Sequence, residues 1–358
     1  MKKLIPPAGK NGFTLVELLV SMAILTLLVL MLASMIDATR RTWSYTSSKV
    51  EQFRDAREAF ESITRKLSQA TLNTYWDYDN PAAPTKYQRQ SELRFISGNA
   101  TALTGSSNSP THAVFFQAPL GYVSSGSAAT SYSTLDNLLN TWGYFIEFAD
   151  DSLSRPSFIT AQVTPYRSRF RLMELMEPSD TLTLYNFTSG TNGTGQFKNS
   201  IYTGHDWFTT PLGLSARPVR VLAENILALV ILPKLSSADQ AAGGYTDSSL
   251  APTYLYDTTA TASDPNLNPK NQLPPVVQVT LVALDEASYN RYQAGTAMPD
   301  LVAGLFQAPG DTTNSSNPGY AKDMQTLETT LRANKLNYRI FTTNVSLKAA
   351  KWSRAQAN

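Results

Sequence analysis

Glu17 is the residue whose placement most strongly suggests chemistry. It is the single charge in an apolar run of 24 residues at 13–36, FTLVELLVSMAILTLLVLMLASMI. An ionised side chain near the centre of a bilayer costs on the order of 3 kcal/mol or more, so it usually marks a function and a partner. The partner that suits a carboxylate in low dielectric is an amine, because two groups too costly to bury alone become tolerable as a pair. A stray helix-end carboxylate is the plainer reading.

The other candidates are weaker. There is no cysteine and only His112 and His205, so a zinc site would need carboxylates at spacings the sequence lacks. No metal or cofactor is expected. Gly204-His205-Asp206-Trp207 has no nucleophile elbow, and adjacency in sequence is not a triad in space, so it reads as a turn. Asp77, Asp79 and Asn80 could offer oxygen ligands to calcium, but the twelve-residue loop with spaced acids and a central glycine is missing. A polar loop ending a helix is expected there, and Asp285-Glu286 at a strand end reads likewise. Arg167, Arg169 and Arg171 alternate with Ser168, Phe170 and Leu172, which sets three guanidinium groups on one face of a strand. That face is either solvated or salt-bridged between subunits. A DNA-touching patch is the sharper alternative, although phosphate binding usually enlists more basic residues with aromatics nearby. Trp43 and Tyr45 suit a membrane-interface belt, while Tyr75, Trp76 and Tyr78 suit core or rim. No linear motif announces an enzyme.

The element that must hold Glu17 is a helix. At helical rise the apolar run spans about 36 Å, enough to cross a bilayer. An ordinary secretory signal would have a shorter apolar region and no use for a carboxylate near its start. No Gly or Pro interrupts residues 13–80. Phe53, Ala56, Phe60, Ile63, Leu67 and Ala70 then recur at steps of three and four, with Arg54, Asp55, Arg57, Glu58, Glu61, Arg65 and Lys66 on the remaining arc. The helix is expected to continue to about Leu72, its apolar stripe covered by the chain's own sheet rather than by a coiled-coil partner.

Past residue 80 the period becomes strand-like, with candidate strands at 92–97, 112–118, 142–149, 167–175, 217–232, 275–284 and 338–347. Between them lie inserts at 98–111, 124–133, 188–200, 236–272 and 309–319 that read as too polar to join a core. Segments 134–141 and 322–334 read as short helices, the second carrying Met324, Leu327 and Leu331 at helical spacing. With 358 residues and 42% apolar side chains, a substantial core is available. The expected fold class is α+β: a long N-terminal helix, its first half transmembrane, packed on an antiparallel β-sheet with long polar loop inserts.

Lys2-Lys3, then Gly12-Phe13-Thr14-Leu15-Val16-Glu17, then the apolar run, resemble the class III signal of type IV prepilins and type II secretion pseudopilins. The resemblance implies a pilin-like fold and cleavage after Gly12 by a membrane prepilin peptidase, whose site would admit no side chain at that position. It also implies N-methylation of the new terminus at Phe13, and pairing of Glu17, the fifth mature residue, with the terminal amine of a neighbouring subunit. The chain then divides into a leader at 1–12, a transmembrane half-helix at 13–36, an amphipathic half-helix at 37–72 and a periplasmic β-rich domain at 73–358. Loss of Lys2, Lys3 and Lys10 from 30 basic residues leaves 27 against 28 acidic ones. A near-neutral chain has no global field for nucleic acid, which is not expected as a partner. The leader lysines are balanced by Arg40, Arg41 and Lys49, so orientation rests on the resemblance.

Two later stretches, Leu222-Ala223-Glu224-Asn225-Ile226 and Leu273-Pro274-Pro275 leading into Val276-Val277-Gln278-Val279, resemble larger minor pseudopilins of the J class. The stretches ALVILPKLS at 228–236 and QVTLVALDEAS at 278–288 resemble the group called Verru_Chthon cassette protein C. Together the resemblances imply a non-enzymatic, minor structural subunit in the bacterial inner membrane, single-pass, with its C-terminal domain periplasmic. Its partners would be the prepilin peptidase, other pilin or pseudopilin subunits, an inner-membrane assembly platform and membrane lipid. The alternative is a membrane-anchored binding module on the same scaffold, presenting its domain to DNA, cargo or a surface.

Overall fold

The structure is a computed structural model that describes residues 14–80, 82–124, 132, 135, 137–152, 155–156, 158–159, 166–185, 205–245, 248–251, 253–262, 264–292, 298–307 and 319–353. Two compact units divide the chain, Met1–Glu51 and Gln52–Asn358. The first helix, α1 (Leu15–Leu67), contributes to both.

Within the first unit, every large apolar side chain of α1 from Leu15 to Ile36 is exposed. The stretch Leu15–Trp43 is apolar and long enough to cross a membrane, with none of it buried. Its hydroxyls are satisfied locally. Ser21 donates to the Glu17 carbonyl at 2.7 Å, Thr26 to Met22 at 2.7 Å and Thr39 to Met35 at 2.8 Å. A helix in lipid must meet its polar groups in this way, since no water is there to do so.

Within the second unit Ala56, Phe60, Ile63 and Leu67 of the expected stripe join the core, as does Ala70 beyond the helix, while Phe53 is half-buried against it and Ala59, outside the stripe, is buried too. The helix stops at Leu67, five residues short of expectation. Gln69 and Ala70 donate to Lys66 and Leu67 in a tightened turn, and the Thr71 amide then leaves to bond Gln117 at 2.9 Å. A strand offers the backbone a partner, and the helical ladder ends where that partner begins.

A two-stranded hairpin follows, β1 (Tyr75–Tyr78) with β2 (Tyr87–Gln90). The main sheet is then built from β3 (Phe95–Asn99), β4 (His112–Pro119), β5 (Leu139–Ala149), β6 (Arg169–Glu177) and β7 (Val219–Glu224), closed by the short β9 (Tyr256–Asp257). Its order is β7-β6-β5-β4-β3-β9, every pair antiparallel. A second sheet, order β11-β10-β8, joins β8 (Ile226–Lys234), β10 (Val276–Leu284) and β11 (Tyr338–Ser346). The run expected as one strand at 217–232 is therefore two. It breaks at Asn225, whose φ of 58° lies in the left-handed region that asparagine tolerates, and the chain changes sheets there.

Both faces of the main sheet are covered. One carries α1, the second sheet and α6 (Tyr320–Ala333), whose Met324, Leu327 and Leu331 are buried as their spacing predicts. The other carries α2 (Ala100–Thr104) and α3 (Asp206–Leu212), with Leu103, Trp207 and Phe208 against Phe115 and Phe145. Phe115 and Phe208 stack at 4.0 Å. Opposite Phe115 stands Gly143, where a Cβ would lie 2.2 Å from that ring, so the stack requires a glycine.

Three expectations are corrected. Residues 139–141 are strand rather than helix, because they extend β5 to pair with Ala118 and Glu177. Insert 98–111 joins the core through Ala100 and Leu103. Insert 236–272 does so through Leu250, Ala251, Tyr254 and Tyr256, and also contains α4 (Ser237–Gly243). A few apolar side chains dispersed among serines and threonines were enough, since burial is decided per side chain and not by average polarity.

Candidate functional site

Glu17 lies in the first turn of α1. The Thr14 amide donates to its Oε2 at 3.4 Å and the Thr14 hydroxyl at 3.3 Å, while the Glu17 amide faces Thr14 Oγ1 at 3.3 Å. This is a capping box, in which a Thr at the cap and a Glu three residues on satisfy each other's exposed donors. The carboxylate is exposed, and among the described residues no cation pairs with it. Among the described residues its side-chain partner is Thr14. Gly12 and Phe13 lie outside the described residues. Trp43 is exposed; the side chain of Tyr45 lies outside the described residues.

The arginine row is not a surface. Arg167 is exposed ahead of β6, but Arg169 and Arg171 are buried. Arg169 forks onto the Glu286 carboxylate and lies 3.4 Å from Glu224. Arg171 reaches Glu224 at 3.2 Å and donates to the carbonyls of Ala149 and Asp150 at 2.5 and 2.6 Å. Burial alone would raise the Glu286 carboxyl, yet bonds from Arg169, Asn225 and Asn290 pull it down to about 2. Alternation set the arginines on one side of the strand correctly, but that side faces protein acceptors. Neither a solvated face nor a phosphate-binding patch exists at Arg169 and Arg171.

The remaining sequence candidates are also structural. His205 occupies the position just before α3 without a side-chain capping bond, its Nε2 3.7 Å from Asp257. Burial opposes the Asp257 charge, but His205 and Thr259 hold its carboxyl below the usual range. Asp285 accepts from the Ser288 amide at 2.6 Å at the start of α5 (Glu286–Tyr292). Asp77 and Asp79 belong to the β1–β2 hairpin instead of a loop ending a helix. Asp79 uses its oxygens on Thr85 and the Lys86 amide, which holds its carboxyl well below the usual range. Among the described residues, no three His, Cys, Asp or Glu side chains converge on a metal position.

Sequence reasoning missed Glu174. It is fully buried on β6, with Lys66 of α1 at 2.5 Å, the Tyr144 hydroxyl at 2.8 Å and Arg220 of β7 also bonded to it. Burial lowers the Lys66 pKa, against the pull of Glu174. Its only signal was a glutamate at an alternation position otherwise occupied by Phe170 and Leu172. Two open clefts adjoin these networks. One, of 560 Å³, is lined by Asp55, Glu58, Glu224 and Glu286. The other, of 450 Å³, is lined by Glu147, Arg171, Arg217 and Arg220, with Glu147 and Arg217 paired at 2.7 Å.

Residues 8–33 match the family described as the prokaryotic N-terminal methylation motif, which covers Gly12, Phe13 and Glu17. That motif marks a prepilin-type precursor, and its family is structural rather than catalytic. No curated protein and no solved structure matches the chain.

Proposed function

We propose that a prepilin-type precursor of this kind serves as a minor structural subunit of a type IV pilus-like or type II secretion-like pseudopilus. A prepilin peptidase removes residues 1–12, the new terminus at Phe13 is methylated, and the apolar half of α1 holds the chain in the bacterial inner membrane with the β-rich domain in the periplasm. Glu17 then pairs with the terminal amine of a neighbouring subunit as the assembly platform extracts the helix from lipid. The observation that carries this reading is a helix apolar and unburied from Leu15 to Trp43, with one carboxylate in its first turn, in register with the methylation motif at residues 8–33. Such a helix has no partner within its own unit and needs lipid or like helices around it.

The test is N-terminal mass spectrometry of membrane-extracted protein made with and without its peptidase. The expected product begins at methylated Phe13 only when the peptidase is present. Gly12→Ala remains uncut, and Glu17→Ala is cut but absent from sheared filaments. An uncut wild-type terminus, or cleavage near Ala33, would exclude the proposal.

A further inference from the structure

Trp76 and Tyr78 point to the same side of β1 by strand alternation, and their cross-strand partners on β2 are Arg89 and Tyr87. Trp76 and Tyr87 are each 58% exposed and Tyr78 is 41% exposed. Of the core or rim places that sequence suggested for Trp76 and Tyr78, the core is excluded by this exposure. The Tyr78 and Tyr87 rings lie 4.4 Å apart and the Arg89 guanidinium lies 5.7 Å from the Trp76 ring. The ledge is fixed at both ends. Arg89 donates to Gln272 at 2.9 Å and to the Lys351 carbonyl at 3.2 Å, and Asp79 ties down the turn through Thr85 and Lys86.

We infer that this hairpin is a binding platform for a neutral saccharide chain. An exposed aromatic face carries the negative part of a quadrupole. The axial C–H bonds of a pyranose are polarised the opposite way, and neighbouring rings turned by 44°, as Tyr78 and Tyr87 are, can meet successive sugar faces of a twisted chain. At the ring edges the indole N–H can donate to a hydroxyl group, and the phenol pair, Tyr78 bonded to Tyr87, keeps acceptor capacity for another. Charge argues against polyanions. Residues 75–92 carry Asp77, Asp79 and Glu92 against Lys86 and Arg89, and Arg89 already serves two acceptors of its own chain. A phosphate polymer needs a cationic field that is missing here. An aliphatic protein surface or lipid tail would find no aliphatic side chain among the four ledge residues. The inference does not depend on processing at Gly12, so the two can fail separately.

The full-length protein in phosphatidylcholine nanodiscs, which contain no sugar detergent, would be titrated with cellohexaose, laminarihexaose, mannohexaose and chitohexaose by calorimetry. Saturable binding of at least one is expected, weakened about tenfold or more in Trp76→Ala and Tyr87→Ala, equal to about 1.4 kcal/mol. Trp76→Tyr, which keeps a stacking face, should retain most of it. A wild-type measurement guards against misfolded variants: bound saccharide should protect Trp76, and not Trp43, from oxidation by N-bromosuccinimide. Absence of binding to all four, equal binding by Trp76→Ala with no protection, or binding to oligothymidylate alone would each overturn the inference. So would loss of self-association in Trp76→Ala without any saccharide binding, since the ledge would then be a contact between copies.

Discussion

At the residue scale His112 shows how a buried titratable group is committed to one state. The Ile231 amide donates to its Nδ1 at 3.0 Å, so the ring proton sits on Nε2, which donates to the Phe306 carbonyl at 2.8 Å. A second proton would displace the Ile231 donor and place a charge in a site with no exposure. Burial accordingly pushes its pKa down to about 4. Below the ordinary value near 6.5 the unfolded chain takes up a proton that the folded chain refuses, so stability falls as pH drops from about 6.5 to about 4, by roughly 3 kcal/mol in all. Thermal unfolding of wild type should therefore decline more steeply over that range than unfolding of His112→Gln, whose curve lacks this proton; parallel curves would refute the assignment. Strand alternation in the sequence located His112 correctly at the head of a strand. It could not supply the ring's partners, which stand 119 and 194 residues further along. Arg169 and Arg171 carry the same lesson: their side of the strand was legible, while Glu224 and Glu286, which turn that side inward, were not.

At the scale of elements the amphipathic stripe of α1 was legible because helical period is a local property, and Ala56, Phe60, Ile63 and Leu67 are buried as their spacing requires. Lys66 was assigned to the solvated arc, and this is where local period fails. A lysine at the border of a stripe can reach over it, and here it meets a buried carboxylate on another element and lies 3.9 Å over the Trp142 ring. Glu174 thereby joins α1, β5, β6 and β7 through Lys66, Tyr144 and Arg220. Removing one member of a buried ion cluster leaves uncompensated charge, a loss of about 3–5 kcal/mol. Glu174→Ala should lower the unfolding free energy by about that amount in urea titrations followed by tryptophan fluorescence. Because the groups act together, adding Lys66→Met to Glu174→Ala should restore part of the loss rather than deepen it. Strict additivity of the two substitutions would show that the cluster does not couple helix to sheet. The break at Asn225 was illegible for a related reason: LAENILALVIL reads as one apolar run, and only a left-handed backbone at its asparagine divides it between two sheets.

At the scale of the molecule, the two compact units predict where the chain can be cut. Residues 15–43 bury nothing, so the domain that begins at Gln52 owes them no part of its core. The boundary at residue 73 suggested by the change of period is a different matter. It would remove Phe60, Ile63 and Leu67, which are buried in the larger core, together with Lys66 of the Glu174 cluster. At about 1.5–3 kcal/mol for each large apolar side chain, the three alone supply some 5–9 kcal/mol. A whole domain is typically stable by only about 5–15 kcal/mol. A chain starting at residue 52 should therefore be soluble without detergent and unfold in one cooperative step. A chain starting at residue 73 should aggregate or bind hydrophobic dye as a loosened state. Cooperative unfolding of the shorter chain at the same midpoint would mean that the second half of α1 merely rests on the sheet. Its loss, with the longer chain intact, would place the physical domain boundary inside the helix, between the part made for lipid or neighbouring helices and the part made for its own sheet.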